Sequence, residues 1–288
     1  MNSKQKDKLA TAVLYAISGF VVLLLAGLIG YILYNGRHWL DINFLFGKPS
    51  IETGGGIGLH LFNSFYMLII SLLITVPIGV GAGIYLAEYA KEGKLLSIIR
   101  LCIETMASLP SIVVGLFGLL IFVNMLGWGY SIIAGALAIT ILNLPAMTRV
   151  SENAIIAASK KVKEASLGLG ATQWQTIRRV ILPSAIPQIL TGIILSAGRI
   201  FGEAAALLYT AGMSAPIVRI SDGSAFNIFR PAETLSVYIW KLNSEGVVPD
   251  AGRIANGASA VLIIMVLLFN VISRLIGKKL YEKYAGTK

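Results

Sequence analysis

Residues 160–187 read KKVKEASLGLGATQWQTIRRVILPSAIP, and the fold turns on how this polar stretch is understood. Val162, Ala165, Ser166 and Leu169 recur at helical spacing on one small, weakly apolar face, so Lys160 to Leu169 is expected to be helical. Gly168 and Gly170 end that helix. Thr172, followed three residues later by Gln175, is a capping box that starts a second helix carrying Trp174, Ile177 and Ile181, with Pro183 marking its end. Two short helices meeting at a glycine describe an ordered insert rather than a linker.

Outward from it, the chain becomes too apolar for a water-facing rim. Apolar residues make up 56% and charged residues 13% of the 288, with mean hydropathy +0.78. A soluble domain carries roughly 25% charge. Six segments stand out, at about Ala12 to Tyr34, Leu61 to Ala87, Leu101 to Leu126, Ser131 to Thr148, Ser184 to Gly212 and Ala255 to Ile276. Each can cross a hydrocarbon core of about 30 Å as a helix. The expected class is all-α, a polytopic membrane protein with six transmembrane helices in one transmembrane domain over residues 1–288. The first segment is 23 residues long and no A-x-A site follows it, so it reads as a retained span rather than a signal peptide.

With six spans both termini share a side, and charge chooses which. The side holding the termini, the second-to-third linker and residues 149–183 carries 17 basic residues, against six on the other. Positive-inside bias puts both termini and this loop in the cytoplasm, and residues 213–254 in an extracytoplasmic loop. The net charge of +10 is thereby an orientation signal, and no nucleic-acid partner is implied. Pro77, Pro110, Pro145 and Pro187 fall in or beside apolar segments, where a freed carbonyl needs a neighbouring helix. Gly79 to Gly83 and Gly198-x-x-x-Gly202 offer small faces for close packing.

The loop also carries a motif. Glu164-Ala165-Ser166, three residues, Gly170, nine residues, then Val180-Ile181-Leu182-Pro183 resembles the EAA loop of ABC importer permeases. Ser166 and Val180 are the departures. The resemblance implies a type I importer permease fold whose cytoplasmic helix-turn-helix docks on an ATPase, with Glu164, Ala165, Gly170, Leu182 and Pro183 as coupling residues. An amphipathic loop lying on the bilayer is the alternative reading of Trp174, Arg178 and Arg179.

In the fifth segment, ILTGIILSAGRIFGEAAALLYTAG, Arg199 and Glu203 are expected near the centre of the span, four residues apart on one helix face. Each costs about 2.5–3.5 kcal/mol to insert, so such residues face a partner or a watery path. The Arg-then-Glu order is the weaker one for stabilising a single helix. A guanidinium fork matches tetrahedral oxyanions, and Glu203 could hold the fork. A structural intramembrane ion pair is the alternative. Gly198, Arg199, Gly202, Glu203, Ala205, Leu207, Leu208, Thr210 and Ala211 are similar to the G-R-x-x-G-E-T-A-P-L-L-x-T-A stretch of PstA-type phosphate permeases, with Ala204 where Thr is usual and Ala206 where Pro is usual. Together with Leu109 to Gly118, this resemblance takes in most of residues 60–275. It implies a PstC-type permease partner, a PstB-type ATPase dimer and a PstS-type extracytoplasmic phosphate-binding protein, in the plasma membrane.

Ser111 and Asn143, beside Pro110 and Pro145, could line the path or hydrogen-bond between helices. Glu104, four residues after Arg100, reads as an interfacial ion pair with it, and His38 and His60 as isolated structural residues. No G-x4-G-K-[ST] occurs, so ATP hydrolysis is expected in partner subunits and this chain is a transport subunit rather than an enzyme. No Cys/His cluster has metal-ligand spacing, and no cofactor or metal is expected. The expected function is import of inorganic phosphate. The rivals are a permease for phosphonate, sulfate or molybdate, an ion-coupled secondary carrier and, more distantly, a membrane-embedded enzyme.

Overall fold

The computed structural model describes residues 3–50, 55–216, 218, 223–246 and 248–285; Arg219 and Lys288, two of the basic residues counted above, and Asp222, within the 213–254 loop, lie outside them. Among the described residues the chain is all helical. α1 (Ser3–Gly36) is apolar and almost wholly exposed within the protomer, as a lipid-facing span would be. α2 (Ile42–Phe46), capped by Asp41, leads to α3 (Gly58–Ile84), which runs into a π-helical turn, Tyr85–Tyr89. α4 (Lys94–Ala107) and α5 (Ser111–Gly118) follow, α5 continuing into a π-helical stretch, Leu119–Met125. The long α6 (Ile132–Gly168), α7 (Gln173–Thr176), a π-helical turn over Ile177–Ile181, α8 (Leu182–Gly202), α9 (Ala205–Thr210), α10 (Leu235–Glu245) and α11 (Ala251–Ala285) complete the order.

Among the described residues five helices are long and apolar enough to cross a membrane, and a sixth span exists if α4 and α5 count as one. The expected third span, Leu101 to Leu126, is therefore corrected: the chain bends by 96° between α4 and α5. Pro110 is the cause, since it lacks an N–H and pushes Leu109 out of the helical region. The fourth span does not stop at Thr148 either. α6 continues unbroken to Gly168, absorbing the helix expected from Lys160.

Close packing of α3 on α6 forms the centre of the bundle. A Cβ on Gly79 would lie 2.7 Å from Met147 Cγ, and one on Gly83 2.5 Å from Ser151 Cβ, so the small face read from residues 79–83 is a helix contact. Thr75 donates to Thr140 at 3.1 Å across the same seam. The other small face is not used in this way, because Gly198 and Gly202 have nothing within 4 Å of where a Cβ would sit. The pairing of Arg100 with Glu104 is also corrected. Arg100 reaches across to the buried Glu152 of α6, with Nε 2.9 Å from Oε1, and Glu104 pairs instead with Arg149. These two crossed bridges fasten α4 to α6.

Candidate functional site

At the end of the bundle holding residues 149–183, the loop folds as its local sequence dictates. Gln175 N donates to Thr172 Oγ1 at 3.3 Å and Thr172 N to Gln175 Oε1 at 2.9 Å, which completes the capping box. Gly170 has φ +86°, the left-handed conformation that glycine adopts without penalty. Ser166, one of the departures from the motif, is within 2.9 Å of the Thr176 hydroxyl, a bond between the two arms that an alanine could not make.

One expectation here is wrong. Pro183 does not end the second helix; it sits in the first turn of α8, where its missing N–H costs nothing. The turn preceding it widens into the π-helical Ile177–Ile181, and Gln173 to Gly202 forms one 30-residue rod, about 45 Å long. Ile177, Ile181 and Ala185 bury against Met147, Ile155 and Ala158 of α6, locking the rod's base to the bundle. Lys163 bridges to Glu88 Oε2 at 2.7 Å, and Gln173 donates to the Glu88 carbonyl at 2.8 Å. The tip itself projects: Leu169 is 90% and Trp174 57% exposed, and Glu164, Ala165 and Gly170 are exposed beside them. Leu182 and Pro183 lie apart from that tip, half-buried where the rod enters the bundle.

The opposite end of the rod carries the charged residues, and the expectation that Arg199 and Glu203 share a face in mid-span is corrected. α8 ends at Gly202, and Glu203 is extended (φ −73°, ψ 121°), so the fifth segment is broken rather than continuous to Gly212. A break among apolar helices needs its backbone satisfied. Glu203 N donates to Ile200 O at 3.3 Å, Glu203 O accepts from Ser236 Oγ at 2.6 Å, and Glu203 Oε1 accepts from Ala206 N at 3.1 Å. The carboxylate is thus the cap of α9, not the partner of Arg199. Proline at position 206 could not donate that bond, so the departure from the PstA-type pattern at Ala206 decides what Glu203 does here.

Among the described residues Arg199 has no carboxylate within 4.0 Å; its contact is Nη1 to Leu142 O at 3.4 Å, and the residue is exposed on the protomer surface. The Leu142 side chain packs with Val114 and Ala206, so α5, α6, α8 and α9 converge at this point. Asn143 is buried next to it and donates to Ile139 O of its own helix at 3.1 Å, and half-buried Ser111 is one turn before Val114. Beside the break opens a cavity of about 360 Å³ lined mainly by apolar groups, including Ile112, Ala204, Ala205, Leu208 and Trp240.

The sequence reading missed a second polar cluster in the residues taken for an outer loop. Leu235, Tyr238 and Leu242 recur on one face and bury, which makes α10, and Gly246 (φ +60°) ends it. His60, far from isolated, stacks on Tyr238 with ring centres 3.9 Å apart, and its Nδ1 is 3.3 Å from Glu233 O. Asn63 bridges Glu233 O to Arg230, whose guanidinium also donates to Ala225 O and Pro231 O. Burial raises the Glu233 carboxyl pKa, with Lys241 Nζ at 3.2 Å opposing the shift, and burial pushes the Tyr238 hydroxyl up to about 12. His60, Glu233, Tyr238 and Lys241 wall another cavity of about 360 Å³ with Ser50 and Ser214. Among the described residues no three His, Cys, Asp or Glu side chains could hold a metal ion.

Comparison with known proteins places this geometry. Residues 79–285 match the family described as binding-protein-dependent transport system inner membrane component. The chain is 53% identical over 290 aligned residues to a probable ABC transporter permease protein, YqgI, of Bacillus subtilis, covering 98% of this chain and 99% of that one. It is 31% identical to the phosphate transport system permease protein PstA of Pasteurella multocida, covering 94% of each. In three dimensions it is similar to a chain of a bacterial ABC transporter involved in import of the acidic polysaccharide alginate, with TM-score 0.60, 16% identity and 96% of each chain covered. That likeness speaks to the fold alone. The chain belongs to the family of binding-protein-dependent transport system inner membrane components and is the transmembrane subunit of an ABC importer.

Proposed function

We propose that the chain passes inorganic phosphate into the cytoplasm, driven by ATP hydrolysis in partner subunits. The observation that carries the reading is Arg199, a guanidinium in an apolar helix that, among the described residues, has no carboxylate partner and one carbonyl contact, beside a break in that helix. An oxyanion leaving water needs charge and directed donors in place of its hydration, and this fork supplies both. The PstA-named relative and the matching residues 198–211 support phosphate as the anion.

The rod from Gln173 to Gly202 gives the mechanism its mechanical part. The exposed tip where the end of α6 turns into the rod, with Glu164, Ala165, Leu169, Gly170 and Trp174, is the docking element for a PstB-type ATPase dimer, and Leu182 and Pro183 set the angle at which the rod enters the bundle. Because the rod is continuous, a tilt imposed at the tip displaces Arg199 at its far end. Ser111, Asn143 and Glu203 stand around the junction where the anion crosses. A PstC-type permease covers the exposed Arg199 face, and a PstS-type binding protein delivers phosphate at the end bearing the Glu233 cluster. Both termini and residues 149–183 are cytoplasmic on this reading.

Arg199→Gln is expected to abolish phosphate uptake by the assembled complex while ATP hydrolysis and assembly persist, and Arg199→Lys to keep part of the uptake. Normal uptake by Arg199→Gln would overturn the assignment. A specific observation favours a second reading, a different oxyanion: Glu203 is held by Ala206 N, where the PstA-type pattern has proline. If that sequestered carboxylate sets selectivity, Ala206→Pro frees it and changes which anions compete with phosphate.

A further inference from the structure

At the end of the bundle opposite the tip lies the cavity of about 360 Å³ walled by His60, Glu233, Tyr238 and Lys241, residues with no role in the path through Arg199. Two of them are buried polar groups with unmatched atoms. His60 is 0% and Glu233 2% exposed, and among the described residues His60 Nε2 and Glu233 Oε1 have no hydrogen-bond partner. On the reading of this chain as a phosphate permease, we propose that this cavity is a receiving site for hydrogen phosphate, which holds the anion before it reaches Arg199 and rejects oxyanions that carry no proton.

The wall sets acceptors beside one cation. His60 Nδ1 faces two acceptors, Glu233 O at 3.3 Å and Glu233 Oε2 at 3.6 Å, so in the neutral ring the proton sits on Nδ1 and Nε2 presents a lone pair. Glu233 Oε1 is 3.2 Å from Lys241 Nζ, but the hydrogen bond that Lys241 makes goes to Met213 O at 2.9 Å. A buried acceptor left unmatched is costly, so a ligand that brings a proton to it is favoured. Tyr238, stacked on the imidazole with ring centres 3.9 Å apart, adds a hydroxyl, and Lys241 adds positive charge. Hydrogen phosphate has both halves of this pattern: a P–OH for the carboxylate or the imidazole lone pair, and charged oxygens for Lys241 and Tyr238. Sulfate at neutral pH has lone pairs alone and would set them against Glu233. A site whose buried groups require a donor discriminates strongly against a ligand lacking one. Glu203, the other carboxylate suited to that distinction, is occupied as the cap of α9.

The cavity is also one step from the break. Met213 borders both it and the apolar cavity beside Ala204 and Ala205. Ser236, on α10 almost one turn after Glu233, donates to Glu203 O at 2.6 Å. α10 thus ties the receiving site to the junction at which α8 ends, and the unbranched Met213 side chain is the partition between the two spaces.

The test uses the full-length chain assembled with its partner permease and ATPase in lipid nanodiscs, without nucleotide or binding protein, and reads binding of labelled inorganic phosphate by scintillation proximity. Arg199→Gln is present throughout, so that the path residue does not contribute. Saturable binding is expected, one phosphate per copy of this chain, with sulfate competing at least about tenfold less well than unlabelled phosphate. Glu233→Gln, whose amide offers a donor, should bring sulfate to within about threefold of phosphate. Tyr238→Phe keeps the ring on His60 and should weaken phosphate binding by about 2–12-fold. No saturable binding by an assembled complex would overturn the proposal, and so would equal competition by sulfate before Glu233 is changed. Unchanged discrimination in Glu233→Gln would overturn it as well. Should Glu233→Gln not assemble, Tyr238→Phe decides, and unaltered phosphate affinity there rejects the site. A wild-type complex that takes up no phosphate would instead refute the importer reading on which the site rests.

Discussion

Replacing Gly170 asks whether the projecting tip must keep its turn. With φ +86° and nothing within 4 Å of where a Cβ would sit, a substitution there meets no steric clash, so its whole cost is in the backbone. For alanine that cost is about 1–2 kcal/mol; asparagine costs less because it tolerates the left-handed region, and valine costs more. Three hydrogen bonds hold the turn, Leu169 N to Ala165 O, Gly170 N to Leu167 O and Ala171 N to Ser166 O. Each contributes about 0.5–1.5 kcal/mol net, so the alanine penalty rivals one or two of them. Opening of the tip should become about 5–30 times more frequent, while the bundle core, which Gly170 does not touch, keeps its stability. Substrate-stimulated ATP hydrolysis and uptake by the reconstituted complex should therefore fall in the order Gly, Asn, Ala, Val at constant Tm. Full coupling in Gly170→Val, or losses that track Tm, would refute the reasoning.

Other perturbations probe the bundle. Gly83→Ala would set a Cβ 2.5 Å from Ser151 Cβ and 2.8 Å from Glu152 N, and should destabilise by about 1–3 kcal/mol in thermal unfolding, whereas Gly81→Ala, in open space, should be neutral or slightly stabilising. Arg100→Ala leaves the buried Glu152 without its partner and should cost about 1–3 kcal/mol, with Glu152→Gln in the same chain recovering part of the loss in Tm. The Glu233 carboxyl, raised above its ordinary 4.5 by burial, binds its proton more tightly folded than unfolded. Its contribution to stability is thus complete below the ordinary carboxylate pKa and lost as pH rises through the raised value; Glu233→Gln should flatten that part of the Tm-against-pH curve.

What the sequence disclosed was local. The capping box of Thr172 and Gln175, the glycine turn and the packing of Gly79 and Gly83 all depend on residues within a turn or two, or on a helix spacing visible in one segment. What it concealed was decided at a distance. Nothing in ILTGIILSAGRIFGEAAALLYTAG shows that Ser236, 33 residues on, will take the Glu203 carbonyl and support a break. Spacing put Arg100 with Glu104, yet Glu152, 52 residues away, was the buried carboxylate in greater need of a cation. α10 was legible in the recurrence of Leu235, Tyr238 and Leu242, but its polar flanks read as loop. The departure at Ala206 was seen as a letter change; only the structure shows that the Ala206 N–H occupies Glu203.

The most direct test of the central claim is uptake of labelled inorganic phosphate into proteoliposomes containing this chain assembled with its partner permease, ATPase and binding protein. The account predicts saturable uptake that requires ATP, is unaffected by collapsing ion gradients, is displaced by unlabelled phosphate and not by sulfate, molybdate or phosphonate, and disappears in Arg199→Gln. Uptake without ATP, or equal displacement by another of these oxyanions, would contradict it.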